Sequence, residues 1–407
     1  MSISHLSYAA LAVAICVLIA GCKPKDVPVP DATPAPAVVD GTPATEADCN
    51  EFARKLVQAA LTKNQAHLER LISLEALALR CLNDLSLTGN QRQSVARGIK
   101  SGVKQNALAA QIVADVEQGG SFKLLRIHDV DGRPRAMFRL IGTDTGVKYY
   151  DFIMSRSSDG QISVEDIYVF TTGEMLTQTL RRILLPAVAE LNQGSVAKLR
   201  GADRTFLDNM PKFQAMADAI RAENNPEAIK IYKALPESFR VQKAIVLLYL
   251  TATSGDEVEY ANALELFRKL FPDDAAVEFL SIDYFLLKKQ YEDALRCIDR
   301  ADMAVGGDPY LHVLRSNIHV EAKRFKEARA AVEKAIELEP TLADGYWSRI
   351  NLALKEQSHP DTLVWLKKLV EKTTEKVTDL TKVAEYAEFV KSPQHSEWLK
   401  WYAGKRK

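Results

Sequence analysis

The side chains that could do chemistry are few and scattered along the chain. His312 and His319 lie seven residues apart on a predicted helix and share a face, but no third ligand lies nearby. Two imidazoles without a third ligand are typical of packing or surface histidines. There is no Gly-rich phosphate loop, no paired-cysteine motif and no nucleophile elbow. The sequence therefore predicts no catalytic residue, no metal site and no cofactor.

Cys22 is the cysteine with the most specific surroundings, because it closes a short apolar segment. Residues 1–21 contain no Lys, Arg, Asp or Glu, and the apolar run from Tyr8 to Ala20 is shorter than the roughly 20 residues that span a bilayer. The run ends Leu18-Ile19-Ala20-Gly21-Cys22, which resembles the lipobox of bacterial lipoproteins. That resemblance implies that a signal peptide (1–21) is removed and that the Cys22 thiol receives a diacylglycerol. The N-terminal Lys or Arg of the family pattern is missing, and the alternative is an ordinary signal peptide, or an anchor, with an incidental cysteine.

A proline-rich segment, residues 22–46, follows this cysteine. It contains six prolines among Ala, Thr, Val and Asp, a composition that predicts an extended tether without a core. At ~3.1 Å per residue, such a tether could hold the folded part about 70 Å from a membrane. By the same resemblance, Lys23 rather than Asp directly after the cysteine favours the outer membrane, and the expected location is the periplasmic face of a bacterial cell envelope.

Cys49 and Cys81 belong to two predicted amphipathic helices, residues 48–61 and 68–82, with a turn near Lys63-Asn64-Gln65. In a hairpin folded about residue 65, each cysteine lies 16 residues from the turn, so both lie at the same end. In an oxidising compartment this placement favours a disulfide. The alternative is two unlinked buried cysteines.

Four segments with a two-residue alternation of apolar residues follow. They are residues 122–129, 135–142, 147–156 and 161–170, and Asp-Gly pairs lie in the first and last turns between them. In the last segment the parity of apolar residues changes between Val164 and Ile167, which predicts a bulge near Glu165-Asp166. We predict an α+β domain of helices plus a four-stranded antiparallel meander.

This order of elements resembles the cone-shaped, cystatin-like superfamily that includes nuclear transport factor 2 and ketosteroid isomerase. Members often have a pocket between sheet and helices, where the isomerases place an acidic base and hydrogen-bond donors. The resemblance implies that such a pocket would be lined by His128, Tyr150, Asp151 and Asp166. Nothing in the spacing fixes such a set, and the alternative places these residues on solvated faces or strand edges.

Helical segments in the second half repeat after 34 residues. The matching pairs are Tyr291 with Phe325, Ala294 with Ala328 and Ala301 with Ala335. This period resembles the tetratricopeptide (TPR) repeat, and we count about five repeat-like units between Asn209 and Glu371. The resemblance implies an all-α solenoid in which helices cross at the alanines and leave a concave surface for a partner. The alternative is an irregular helical bundle.

By this resemblance, the first helix of each repeat faces the concave groove, so residues one period apart form ladders. One ladder is polar and consists of Asp283, Asn317 and Asn351. Four residues earlier stand the apolar side chains Phe279, Val313 and Trp347. The asparagines match the carboxylate clamp of the family, but the lysine it needs is missing, so we predict an apolar-anchored peptide. The alternative is that Trp347 packs between neighbouring repeats.

The predicted organisation has six parts: signal peptide 1–21, tether 22–46, α+β domain 47–172, helical bridge 173–208, TPR-like repeats 209–374 and capping helices 375–407. Lys plus Arg and Asp plus Glu number 53 each, which argues against nucleic acid as a partner.

Two functions fit this organisation. The first is a lipid-anchored adaptor whose groove binds an envelope protein or peptide segment, and by resemblance such lipoproteins act as assembly factors for outer-membrane or pilus components. The second is a small-ligand-binding or isomerase-like N-terminal domain with the repeats as a docking arm. A filled sheet face favours the first, and a closed polar pocket with a carboxylate of raised pKa favours the second.

Overall fold

The computed structural model describes residues 42–405 with the exception of 86, 103–106, 144–145, 192–198 and 200. Cys22, the predicted signal peptide and residues 22–41 of the predicted tether lie outside the described residues. The chain forms two compact units, divided in sequence between Leu280 and Ser281. The unit that contains the sheet therefore extends beyond the predicted boundary at residue 172.

Five helices precede the long strands: α1 (Glu46–Leu61), α2 (Gln65–Leu71), α3 (Leu74–Arg80), α4 (Gly89–Gly102) and α5 (Ala107–Glu117). A capping box starts α1, because the Thr45 hydroxyl accepts from the backbone N–H of Asp48 while the Asp48 carboxylate accepts from the backbone N–H of Thr45. The Ser73 hydroxyl caps α3 by accepting from the backbone N–H of Ala76. The second arm of the predicted hairpin is thus two short helices.

Six strands form one antiparallel sheet: β1 (Thr42–Pro43), β2 (Ser121–Val130), β3 (Arg133–Gly142), β4 (Gly146–Arg156), β5 (Ile162–Val169) and β6 (Glu174–Met175). Strands β2 to β6 are neighbours in chain order, and β1 pairs with the end of β4. The predicted turn between β2 and β3 has positive φ at both Asp131 and Gly132, as the two central residues of a type I′ hairpin turn require. Glu165 is left out of the pairing between β4 and β5, so the predicted bulge is confirmed. The short strands β1 and β6 were not predicted.

One face of the sheet, the helix-covered face, packs against α1 and α5. Phe122 and Phe138 stack there with ring centroids 5.0 Å apart, and Phe152 meets Phe138 edge-on. Phe52 and Leu56 of α1 belong to the same buried cluster. Because side chains alternate along a strand, Met137, Arg139, Tyr149 and Asp151 lie on the opposite face.

In the described part of the chain between the sheet and residue 288, the helices are α6 (Leu176–Leu191), α7 (Gly201–Asp208), α8 (Met210–Arg221), α9 (Asn225–Lys233), α10 (Glu237–Arg240), α11 (Lys243–Ala252), α12 (Glu257–Leu270) and α13 (Ala275–Leu287). The last of these runs across the division between the units. Asp166 positions the start of α6, because its carboxylate accepts from the backbone N–H and the hydroxyl of Thr177.

The second unit continues with α14 (Tyr291–Val305), α15 (Pro309–Glu321), α16 (Phe325–Leu338), α17 (Ala343–Lys355), α18 (His359–Lys372), α19 (Ala387–Val390) and α20 (Pro393–Lys405). The starts of α13, α15 and α17 lie 34 residues apart, and so do the starts of α14, α16 and α18. The turns between paired helices repeat at the same interval, with left-handed residues at Lys289, Lys323 and Gln357. The predicted close-crossing alanines are fully buried: Ala294, Ala301, Ala328 and Ala335.

At this level the predicted fold class is confirmed: an N-terminal region of helices and an antiparallel sheet is followed by an all-helical region. Within the described ranges, no helix is both long and apolar enough to cross a bilayer.

Candidate functional site

Two of the three polar positions of the predicted ladder, Asn317 and Asn351, lie on α15 and α17 of the second unit. Asn317 and Asn351 are both half-buried. The Ser348 hydroxyl donates to the carbonyl oxygen of Asn317 at 2.8 Å, which fixes the orientation of that amide. Among the described residues the amide nitrogen of Asn317 has no acceptor, so it can donate to a bound main chain.

Ser348 is a residue that the sequence analysis missed. It is buried on α17, and its contact with Asn317 joins α17 to α15. The positions one and two periods earlier are Leu314 and Leu280, so the repeat itself carries no sign of this hydroxyl. The only available signal was its place on the same helix as Trp347 and Asn351.

Trp347 keeps part of its indole exposed while the rest packs against the C-terminal cluster that contains Tyr346, Leu380 and Trp398. Packing of Trp347 was the alternative to a role in partner binding. The structure gives this side chain both a packed part and an accessible part. A half-exposed, immobilised indole is the usual form of an interface anchor.

Asp283 is the first position of the polar ladder, and it is half-buried. Burial raises the pKa of Asp283 well above its ordinary range, since the surrounding protein removes water from the carboxyl group. A carboxyl group of this kind can donate a hydrogen bond when it is protonated.

Phe279 and Val313, two of the three predicted apolar anchors, need correction. Phe279 is 2% exposed and meets Tyr149 of β4 at a ring-centroid distance of 5.2 Å. It also meets Phe170 edge-on at 6.3 Å. Val313 is 3% exposed. Both are core side chains that no partner can reach in this structure, so the apolar strip is reduced to Trp347.

The predicted disulfide between Cys49 and Cys81 is wrong, because both are free thiols in the structure. The Cys49 thiol donates to the backbone carbonyl of Pro134, and that of Cys81 to the backbone carbonyl of Ala78. The break between α2 and α3 redirects the second arm, so the symmetry about residue 65 is lost. Burial raises the pKa of Cys49 to about 11 and that of Cys81 to about 12, which makes both thiols unreactive.

The four side chains of the alternative pocket do not converge. Tyr150 is fully buried on the helix-covered face, whereas Asp151 lies on the opposite face. Asp151 accepts from His128 Nε2 at 2.9 Å and pairs with Arg135 at 3.5 Å. Burial raises the pKa of Asp166, but that carboxylate is bound to the first turn of α6. The helix-covered face is filled by the apolar cluster, the arrangement that favours an adaptor over a small-ligand pocket.

His312 and His319 are both half-buried on α15, and burial lowers the pKa of each. Across the part of the chain that the structure describes, no group of three or more His, Cys, Asp or Glu side chains could hold a metal ion.

Comparison with known proteins adds no assignment to this geometry. No family model matches the chain, and no curated protein matches it.

Proposed function

We propose that this chain is a lipid-anchored scaffold of a bacterial cell envelope, which binds an envelope protein or peptide segment through a TPR-like helical array. The main support for the proposal is a regular spacing. The starts of both helices of a pair, and the turn between them, all recur after 34 residues. An irregular bundle has no reason to keep all three at one spacing. In this proposal the N-terminal sheet is the meander of the cone-shaped superfamily and has a structural role.

The binding surface of this proposal consists of Trp347, Asn317, Asn351 and Asp283. It combines one accessible indole with amide and carboxyl groups at one-period spacing, a pattern suited to an extended or helical segment that offers main-chain groups and one apolar side chain. A carboxylate clamp is not proposed, since the lysine it needs is missing.

Substitution of the ladder tests this surface. Trp347→Ala is expected to weaken partner binding by about 2 kcal/mol or more, because it removes an anchor from the interface centre. Asn317→Ala is expected to weaken binding by about 1 kcal/mol through the loss of one hydrogen bond. The partner is first isolated by pull-down from detergent-solubilised envelope, and affinities are then measured with purified components on variants whose folding has been checked by thermal melting.

Trp365→Ala is the matched control for Trp347→Ala. Trp365 is also half-buried and also packs on the C-terminal cluster, but it lies on α18, the second helix of its pair. The control should bind the partner as well as the unaltered chain does. Equal affinities for all three variants and the unaltered protein would show that the ladder is not the binding surface.

Replacement of the proposed lipid site tests the anchor. Cys22→Ala removes the thiol that would receive the lipid, so the variant is expected to leave the membrane fraction and to keep an unprocessed N-terminus. Cell fractionation with immunoblotting shows whether the variant leaves the membrane fraction. Mass measurement of the N-terminal peptide shows whether the N-terminus is processed. A variant that is processed normally and stays with the membranes contradicts the lipoprotein assignment, whatever the groove binds.

A further inference from the structure

Arginines are concentrated on the β2–β3 hairpin, and the strand register brings them onto the sheet face opposite the helices. Arg126 pairs with Met137, and His128 pairs with Arg135. Paired residues in an antiparallel sheet project to the same side, so these four residues share one face. Arg139, two residues beyond Met137, lies on it as well. We call this group, Arg126, His128, Arg135, Met137 and Arg139, the arginine face.

Within the described residues, Arg126 and Arg135 of the arginine face each have one buried donor without an acceptor. Asp151, opposite Met137, is shared between His128 and Arg135. The Nε atoms of Arg126 and Arg135 are buried and donate to no described residue. A buried N–H group without an acceptor costs on the order of 1–3 kcal/mol, more when it is charged. The two groups lie one diagonal step apart, so a single acceptor bound between them would satisfy both.

Arg126 makes this place reachable from solvent. It is half-buried and lies on β2, which has a neighbouring strand on one side only in the described sheet. The bulge between Leu124 and Arg126 turns the strand at this point. Arg126 and Arg135 therefore lie one diagonal step apart at the sheet edge, with His128 directly opposite Arg135.

We propose that the arginine face binds the phosphate group of a phosphate ester through Arg126 and Arg135. A carboxylate has only two oxygens, and both oxygens of Asp151 on the β4 side are already engaged, one by His128 and the other by Arg135. A phosphate monoester has three non-bridging oxygens and about two negative charges, so it can accept from two guanidinium groups at once. The phosphate could belong to a lipid headgroup or to a soluble ester, and both present the same chemistry. This site is independent of the helical ladder.

The test uses the full-length protein in neutral detergent and phosphate-free buffer. Two probes are titrated by isothermal calorimetry: glycerol 3-phosphate as the soluble ester, and short-chain phosphatidic acid in mixed micelles, with phosphatidylcholine as the reference lipid. Saturable binding of either probe is expected. Binding of phosphatidic acid alone assigns the site to lipid, and binding of glycerol 3-phosphate assigns it to a soluble ester. Saturable binding of neither probe overturns the proposal.

Variants locate the binding. Arg126→Gln is expected to weaken binding about tenfold or more, the loss that corresponds to one hydrogen bond to a charged group. Arg126→Lys keeps the positive charge but loses the bidentate guanidinium group. Its affinity should therefore lie between that of the unaltered protein and that of Arg126→Gln. Arg54→Gln is the matched control, because Arg54 is an exposed arginine on α1, away from the arginine face, and it should bind as the unaltered chain does. If both Arg126 variants bind as tightly as the Arg54 control, the proposal is wrong.

Discussion

Lys148→Ala is expected to lower the free energy of unfolding of the sheet-containing unit by about 3–5 kcal/mol, since it removes a buried cation that pairs with a buried carboxylate. Lys148 Nζ lies 3.1 Å from the Asp115 carboxylate, and the two side chains are 1% and 3% exposed. The Gln111 amide donates to the other carboxylate oxygen at 2.9 Å. Burial lowers the pKa of Lys148, opposed by the attraction of Asp115, so desolvation is already costly in the intact pair.

Two comparisons make this prediction specific. Lys55→Ala removes an exposed partner of Glu51 on α1 and should leave stability nearly unchanged, because exposed pairs contribute little. Lys148→Met combined with Asp115→Leu should recover most of the lost stability, since it removes both charges together. Urea denaturation followed by circular dichroism, with hydrogen exchange of β4 peptides, measures all three. A Lys148→Ala protein as stable as the Lys55→Ala protein would contradict the assignment of a buried ion pair.

The elements that the sequence predicted well are those in which a local period decides the outcome. The helices α14 and α16 begin at Tyr291 and Phe325, the aromatic residues from which the 34-residue period was read. The long strands lie within two residues of the four alternating segments, and the parity change after Val164 located the bulge. In each case the hydrophobic pattern acts directly on backbone geometry.

The features that the sequence could not predict depend on which element covers a face. Phe279 occupies the helix position of a groove residue, but Tyr149 and Phe170 of the sheet region cover it. Its partners lie more than 100 residues away in sequence, so no period of α13 could reveal them. The Lys148–Asp115 pair could not be predicted for the same reason. Lys148 lies in an apolar strand, and only the tertiary fold brings Asp115 close to it. The sequence therefore could not reveal that Phe279 and Val313 are core side chains, and the polar ladder stays a prediction.

The second large effect is expected at Gly173 in the loop after β5, because a side chain there would meet both an unfavourable φ and the Asp274 carboxylate. The φ of Gly173 is +64°, a left-handed conformation that costs other residues about 1–2 kcal/mol. A Cβ atom at this position would overlap the Asp274 carboxylate. That carboxylate is held in place by Lys243 and by the backbone N–H of Ala276 at the start of α13. Lys243 also donates to the Gly173 carbonyl at 2.8 Å, so the loop, α11 and α13 meet at this point.

Gly173→Ala is therefore expected to destabilise the sheet-containing unit by about 2–4 kcal/mol, the sum of backbone strain and displacement of a hydrogen-bonded carboxylate. Gly132→Ala is the matched control, because Gly132 also has a positive φ (+77°) but has no atom near the position of an added Cβ. This substitution should therefore lower stability through backbone strain alone. Thermal and urea unfolding of both variants separate the two contributions. Equal losses would mean that the Asp274 carboxylate moves aside at no cost. A larger loss for Gly173→Ala, with increased hydrogen exchange at the start of α13, would show that the contacts of Asp274 hold the start of α13 to the loop after β5, on which the burial of Phe279 depends.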